Sequence, residues 1–245
     1  MKTMNLNHSL LIKNLTDIST IFEDPAGLQR HLSVMKYNPG LEWFNIALIA
    51  LDRNAAKRGF RLVLSEEDWQ KYGISYPLTG KGIPLLFPSV DRQQLSWQIR
   101  RMYTVGDFGL DEPANEAAIA SIFGAYESSG KIALVNQTLP EGWQSRLIER
   151  YLSTRAVPES MSRSFLKACL TAAWGPNMYM ETKVTETDLA VDIPDRERWK
   201  VYQCLSNTIT EFPRYFMLWI ENQPVNPQRS DLAAITLQLM KGVSR

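Results

Sequence analysis

The sequence holds few of the residues that most often do chemistry. Its 245 positions include two cysteines and two histidines. Cys169 lies in an apolar run and Cys204 in a helical-looking stretch, so both read as buried thiols, without a disulfide framework and suited to a reducing compartment. His8 and His31 have neither the spacing of a zinc site nor an obvious nucleophile beside them, so no metal and no cofactor is expected. Long apolar runs are missing too. The best candidate, 212–220, is well short of the roughly 20 residues of a membrane helix and contains Pro213 and Arg214. Met1 to Asn14 lacks the basic, apolar and small-residue zones of a signal peptide, so a cytoplasmic location and no membrane contact are expected. An excess of either charge is absent: 27 basic residues face 26 acidic ones, which does not announce a nucleic-acid binder. Residues 1–108 are slightly positive and 109–245 slightly negative. No internal repeat or low-complexity tract is visible.

What is present is ordinary globular usage, 44% hydrophobic and 22% charged. Apolar spacing predicts a helix from Ser9 to Phe22 and a second from Pro25, with Leu28, Leu32 and Met35 on one face. After the turn Asn38-Pro39-Gly40, a third should run from Leu41 to Arg53 with Phe44, Ala47, Leu48 and Leu51 inward. Phe60 to Leu64 alternates like a strand. Ser65 is a good helix N-cap ahead of Glu66, Glu67 and Asp68, and Gly73 closes that helix. Ile83 to Pro88 reads as a strand whose prolines place it at an edge or strand end, and Gln94 to Gly106 contains a second. The expected fold is α+β: three helices and a small antiparallel sheet over residues 10–108, then a mainly helical unit over 112–245, divided near Gly109 to Pro113. In the second unit helices are expected to about Ser128, over Glu141 to Thr154, Glu159 to Trp174 and Ser230 to Lys241. A short strand is expected at Lys131 to Val135, a hairpin or loop at Met178 to Ile193, and a long helix over Pro194 to Asn222, bent or broken at Pro213. Pro224 to Pro227 reads as a linker.

Aromatic and basic residues interleave between Lys36 and Tyr103. Tyr37, Trp43 and Trp69 offer faces on which bases stack, and Lys71 and Lys81 can neutralise phosphate; the same aromatics could equally be core. In Gly80-Lys81-Gly82 two glycines let backbone N–H groups approach an anion, although the spacing is not a P-loop and a plain turn fits as well. Arg100 and Arg101 should point to opposite faces of a strand, with Arg101 sharing the face of Tyr103; Arg92 and Trp97 lie nearby.

In order, Tyr37, Asn45-Ile46-Ala47-Leu48-Ile49, Trp69, Gly73, Gly80-Lys81-Gly82-Ile83-Pro84-Leu85-Leu86, Pro88 and Tyr103 to Phe108 form a pattern. It resembles the N-terminal domain of the ArdC antirestriction proteins and the LtrC-like proteins of plasmids and phages, over about residues 10–108. The resemblance implies a single-stranded-DNA-binding domain. It departs at Leu78-Thr79-Gly80, where the family has a further lysine-glycine pair, and at Asp107-Phe108, where two residues are inverted. A zinc-metallopeptidase-like domain often follows in that family. Here the matching stretch, Arg146 to Ser153, has no histidine and offers only Glu149 as a ligand. The C-terminal half is then either a degenerate, zincin-like pseudo-metallopeptidase or an unrelated helical domain.

The expectation is a non-catalytic single-stranded-DNA-binding or antirestriction protein of a mobile genetic element. The alternative is an accessory or inhibitor module that binds protein and makes no DNA contact. The residues assigned to nucleic-acid binding are Lys36, Tyr37, Trp43, Trp69, Lys71, Lys81, Arg100, Arg101 and Tyr103, with Tyr37, Trp43, Lys81 and Arg101 the first choices. Asn45, Gly73, Gly80 and Gly82 are assigned to structure, Asn45 by holding its helix against the Gly80–Gly82 turn.

Overall fold

A computed structural model describes Ile18 and residues 20–52, 62–91, 94–110, 139–178 and 180–222. After a 3-10 turn at Ile21–Glu23 come α1 (Pro25–Tyr37), α2 (Trp43–Leu51) and α3 (Glu66–Lys71). A hairpin follows, β1 (Ile83–Asp91) and β2 (Gln94–Met102), then a 3-10 turn at Val105–Phe108. The remaining helices are α4 (Trp143–Ser153), α5 (Arg163–Trp174), α6 (Glu186–Leu189) and α7 (Asp195–Glu221). The architecture is α+β, as the sequence predicts. The helix to Ser128, the strand at Lys131 to Val135, the linker at Pro224 and the helix from Ser230 lie outside the described residues, as does most of the Ser9 to Phe22 helix.

Local chemistry sets the helix ends. Asp24 accepts a hydrogen bond from the Ala26 amide and Pro25 occupies the first turn of α1. At its far end Asn38 donates its side-chain amide to the Val34 carbonyl and accepts from the Val63 amide, so one buried side chain stops α1 and anchors the next segment. Ser65 and Ser162 cap α3 and α5 by accepting from Asp68 and Phe165. Met178 to Ile193 forms no strand among the described residues. Thr185 and Asp188 instead make a reciprocal capping box around the single turn of α6. In α2 the buried residues are Phe44, Asn45, Ile46, Ala47 and Ile49, whereas Leu48 and Leu51 are half-buried. The inward face is rotated from the predicted one because β1 lies beside it.

β1 and β2 pair antiparallel, with Ile83 opposite Met102 and Asp91 opposite Gln94. A one-residue bridge joins Leu64 to Tyr103. One continuous core unites Leu28, Leu32 and Met35 of α1, Ile46 and Ile49 of α2 and Leu85 of β1 with residues of α4, α5 and α7. Helices from both halves of the chain therefore share an interior. A smaller cluster, Leu62, Trp69, Ile74, Val105 and Phe108, lies beneath the loops around α3.

Helix α7 runs on through Pro213 without ending. Proline has no N–H, so the Ile209 carbonyl four residues earlier loses its helical donor. Trp174 of α5 replaces it: its indole N–H donates to that carbonyl at 3.0 Å. The Tyr151 hydroxyl of α4 donates to the neighbouring Thr208 carbonyl at 2.8 Å. On the same helix Tyr202, wholly buried, hydrogen-bonds His31 Nδ1 of α1 at 2.7 Å. Burial, aided by the adjacent Arg30 charge, lowers the His31 pKa from 6.5 to about 3.

Two measurements follow from these contacts. Trp174→Phe leaves a buried carbonyl without a donor and should cost about 1–3 kcal/mol in chemical denaturation. In a Pro213→Ala background, where the helix regains its own amide, the same substitution should cost clearly less. His31 gives a pH signature. Above its unfolded pKa the pair is fully stabilising; as pH falls below 6.5 the unfolded chain binds a proton that the folded one excludes. Stability should therefore drop on acidification, by up to about 1.4 kcal/mol per pH unit from this residue. Denaturation at neutral pH and near pH 5 should show a smaller drop for His31→Gln.

Candidate nucleic-acid interface

The turn from Thr79 to Gly82 is built around Asp107. The Asp107 carbonyl accepts from the Thr79 and Gly80 amides at 2.8 and 2.9 Å and from the Thr79 hydroxyl at 3.0 Å. Its carboxylate accepts from the Gly82 amide at 3.3 Å and from the Thr104 amide at 2.8 Å. Thr104 and Asp107 also form a reciprocal capping box on the 3-10 turn. The glycines are required by crowding. A Cβ on Gly80 would overlap the Asp107 carboxylate, and Gly82, at φ +63°, sits against Tyr103 and the Met102 carbonyl. The amides that the sequence offered to an anion at Gly80-Lys81-Gly82 thus already serve Asp107: the Gly80 amide its carbonyl, the Gly82 amide its carboxylate. As an anion cradle the turn is occupied from within.

The hairpin beside it carries exposed positive charge. Lys81, Arg100 and Arg101 are exposed, and among the described residues none forms an ion pair. Arg101 donates to the Lys81 carbonyl at 2.7 Å, which ties the end of β2 to the turn. Arg100 lies on the opposite face, its guanidinium 5.4 Å from the centre of the Phe87 ring. Alternation puts Trp97, Ile99 and Arg101 on one face of β2. Trp97 is 42% exposed and is held edge-on by Phe44 at 5.3 Å. Half-buried Tyr103 continues this face, and its backbone pairs with Leu64.

The other assigned residues are not gathered here. Trp69 is fully buried and donates its indole N–H to the Tyr103 carbonyl at 2.7 Å, so it has no face to give a base. This corrects its assignment as a contact: its helix turns it inward to fill the smaller core cluster. Lys71 is exposed but paired with Asp68 at 2.7 Å; its hydrogen bond, then that of Ser65, holds the Asp68 carboxyl below its ordinary range. Lys36 lies over the rings of Tyr37 and Trp174 at 5.3 and 5.4 Å, towards α5 rather than the hairpin. Half-buried Trp43 contacts Phe44 and the core residue Tyr202 edge-on. Tyr37 packs between the two core clusters. Asn45 does hold its helix by hydrogen bonds, but to β1 and not to the turn. Its amide donates to the Leu86 carbonyl at 2.7 Å and its carbonyl accepts from the Leu86 amide at 2.8 Å. Gly73, at φ +82°, ends α3. Arg92 lies outside the described residues.

Sequence reasoning missed two organisers of this region. Trp97 groups in the sequence with Arg92, Arg100, Arg101 and Tyr103, yet it is not among the residues assigned to nucleic-acid binding. Asp107 was read only as half of an inverted pair, although Thr104-x-x-Asp107 is a legible capping pattern. Comparison with protein-family models, with curated proteins and with solved structures finds no match. No described helix is long and apolar enough to cross a membrane.

The turn can be tested by a double-mutant cycle. Gly80→Ala and Asp107→Ala should each destabilise the protein. Together they should cost less than their sum by about 0.5–3 kcal/mol, because deleting the carboxylate makes room for the new methyl group. Chemical denaturation of the four proteins measures it.

Proposed function

We propose that the chain binds single-stranded nucleic acid along the hairpin face that carries Trp97 and Arg101, without catalysing a reaction on it. The observation that carries this reading is the row formed by Trp97, Arg101 and Lys81: an exposed aromatic followed by cations with no carboxylate partner among the described residues. An unpaired cation is available to phosphate, and an exposed indole provides a stacking face that any base can use. The resemblance of residues 10–108 to the ArdC-like domain supports the same reading. In that setting the protein acts in the cytoplasm as an antirestriction or anti-defence factor of a mobile element.

A binding titration with single- and double-stranded oligonucleotides at two salt concentrations tests it. Single strands should bind more tightly, with log affinity falling linearly against log salt. Lys81→Ala and Arg101→Ala should each weaken binding and reduce the salt slope by about 0.7, the share of one phosphate contact. Trp97→Ala should cost about 1–3 kcal/mol with the slope unchanged, since stacking releases few counterions. If all three variants stay folded and keep full affinity, the hairpin is not the interface. Binding that does not respond to salt would favour the accessory role with a protein partner, for which the near-zero net charge is suited.

A further inference from the structure

Far along the chain from the hairpin, α4, the end of α7 and Leu139-Pro140 line an open groove of about 430 Å³. Its walls are of two kinds. One is aromatic: Trp219 of α7 lies parallel to Trp143 of α4, ring centres 5.2 Å apart and planes 8° apart. Trp143 is in turn parallel to Phe216, and it is buried, so Trp219 is held in place by a stack behind it. The other wall is cationic. Arg146 and Arg150 are exposed on α4 and line the groove together. Four residues apart, they stand one helical turn from each other. Arg146 is steadied by donating to the Pro140 carbonyl at 3.3 Å.

No described residue compensates the two guanidiniums. Among the described residues neither forms an ion pair, and Glu149, which lies between them in sequence, is turned to Lys167. A like-charged pair at this spacing disfavours the helix, where a carboxylate at either position would have favoured it. Leu147 of α4 lines the groove between them. An aromatic side chain and a fork of donors for an anion thus line one open space, whose volume falls within the roughly 300–1,000 Å³ of small-ligand sites.

We propose that this groove binds a planar aromatic ring bearing an anionic group, of the chemical class of a nucleotide. The ring lies against Trp219 and the phosphate is held by Arg146 and Arg150. The site is separate from the hairpin and does not depend on the hairpin's function.

Calorimetric titration of the full chain with adenosine monophosphate, adenosine and inorganic phosphate tests it. Adenosine monophosphate should bind at least tenfold more tightly than either fragment. Arg146→Gln with Arg150→Gln should remove that advantage while adenosine binding is kept; both positions are exposed, so the fold is retained. Trp219→Leu should weaken adenosine and the nucleotide alike, and Trp219→Phe should restore much of both. Lys81→Ala and Arg101→Ala should leave nucleotide affinity unchanged, which separates this site from the hairpin. No binding of adenosine monophosphate at millimolar concentration would overturn the proposal. So would equal affinity for phosphate alone, or full nucleotide affinity in the folded double arginine variant.

Discussion

The hydrogen bond from Trp174 to Ile209 helps seat a proline inside the longest described helix, and much of the fold is arranged along that helix. A proline in a helix interior costs about 3 kcal/mol or more. Against this, α7 buries Val201, Tyr202, Leu205, Ile209, Phe212 and Phe216, each worth about 1.5–3 kcal/mol. Burial wins by a wide margin, so the helix continues. The penalty is then reduced further by a donor from α5, which meets the carbonyl that the proline leaves without its amide, while α4 donates to the carbonyl one residue earlier. The same helix reaches α1 through Tyr202 and His31. Side-chain hydrogen bonds thus tie α7 to α5, α4 and α1, and the one to α5 answers the proline directly.

The surface of the two-stranded sheet follows a related logic. Asp107 supplies, within the chain, the acceptors that the amides of the Thr79–Gly82 turn would otherwise find in a ligand. That leaves Lys81 as a side-chain charge on a rigid mount, with its backbone engaged by Arg101. Cations presented this way attract phosphate as point charges and select little else, whereas Trp97 adds affinity that salt does not screen. The overall neutrality of the chain is no obstacle, because screening at physiological salt confines each charge to roughly 8 Å.

The parts of this fold that were legible in the sequence are those written locally. Pro25 after Asp24, Ser65 before three acids, and the alternation through Ile83 to Leu86 each act within a few residues, and α1, α3 and β1 stand where these signals put them. What depends on distant partners was not legible. Trp69 looks the same in sequence whether it faces solvent or Tyr103. The partner of Asn45, 41 residues away, is a strand backbone that carries no side-chain signature. Pro213 argues for a bend or a break, and the donor that lets the helix continue lies on α5, out of reach of a local reading. The segment Met178 to Ile193 alternates, but its polar caps close a helical turn before a strand can pair.

Prolines 84 and 88 flank Leu86 at spacing two, so all three turn the same side of their backbone towards α2. Only Leu86 has an amide to offer on that side, and Asn45 occupies it. Between 84 and 88 the margin of β1 therefore presents no donor to a passing chain. A hairpin rich in apolar residues would ordinarily recruit further strands and grow into aggregates. Here growth from this margin is blocked by the covalent chemistry of two imino acids and the amide of a single asparagine.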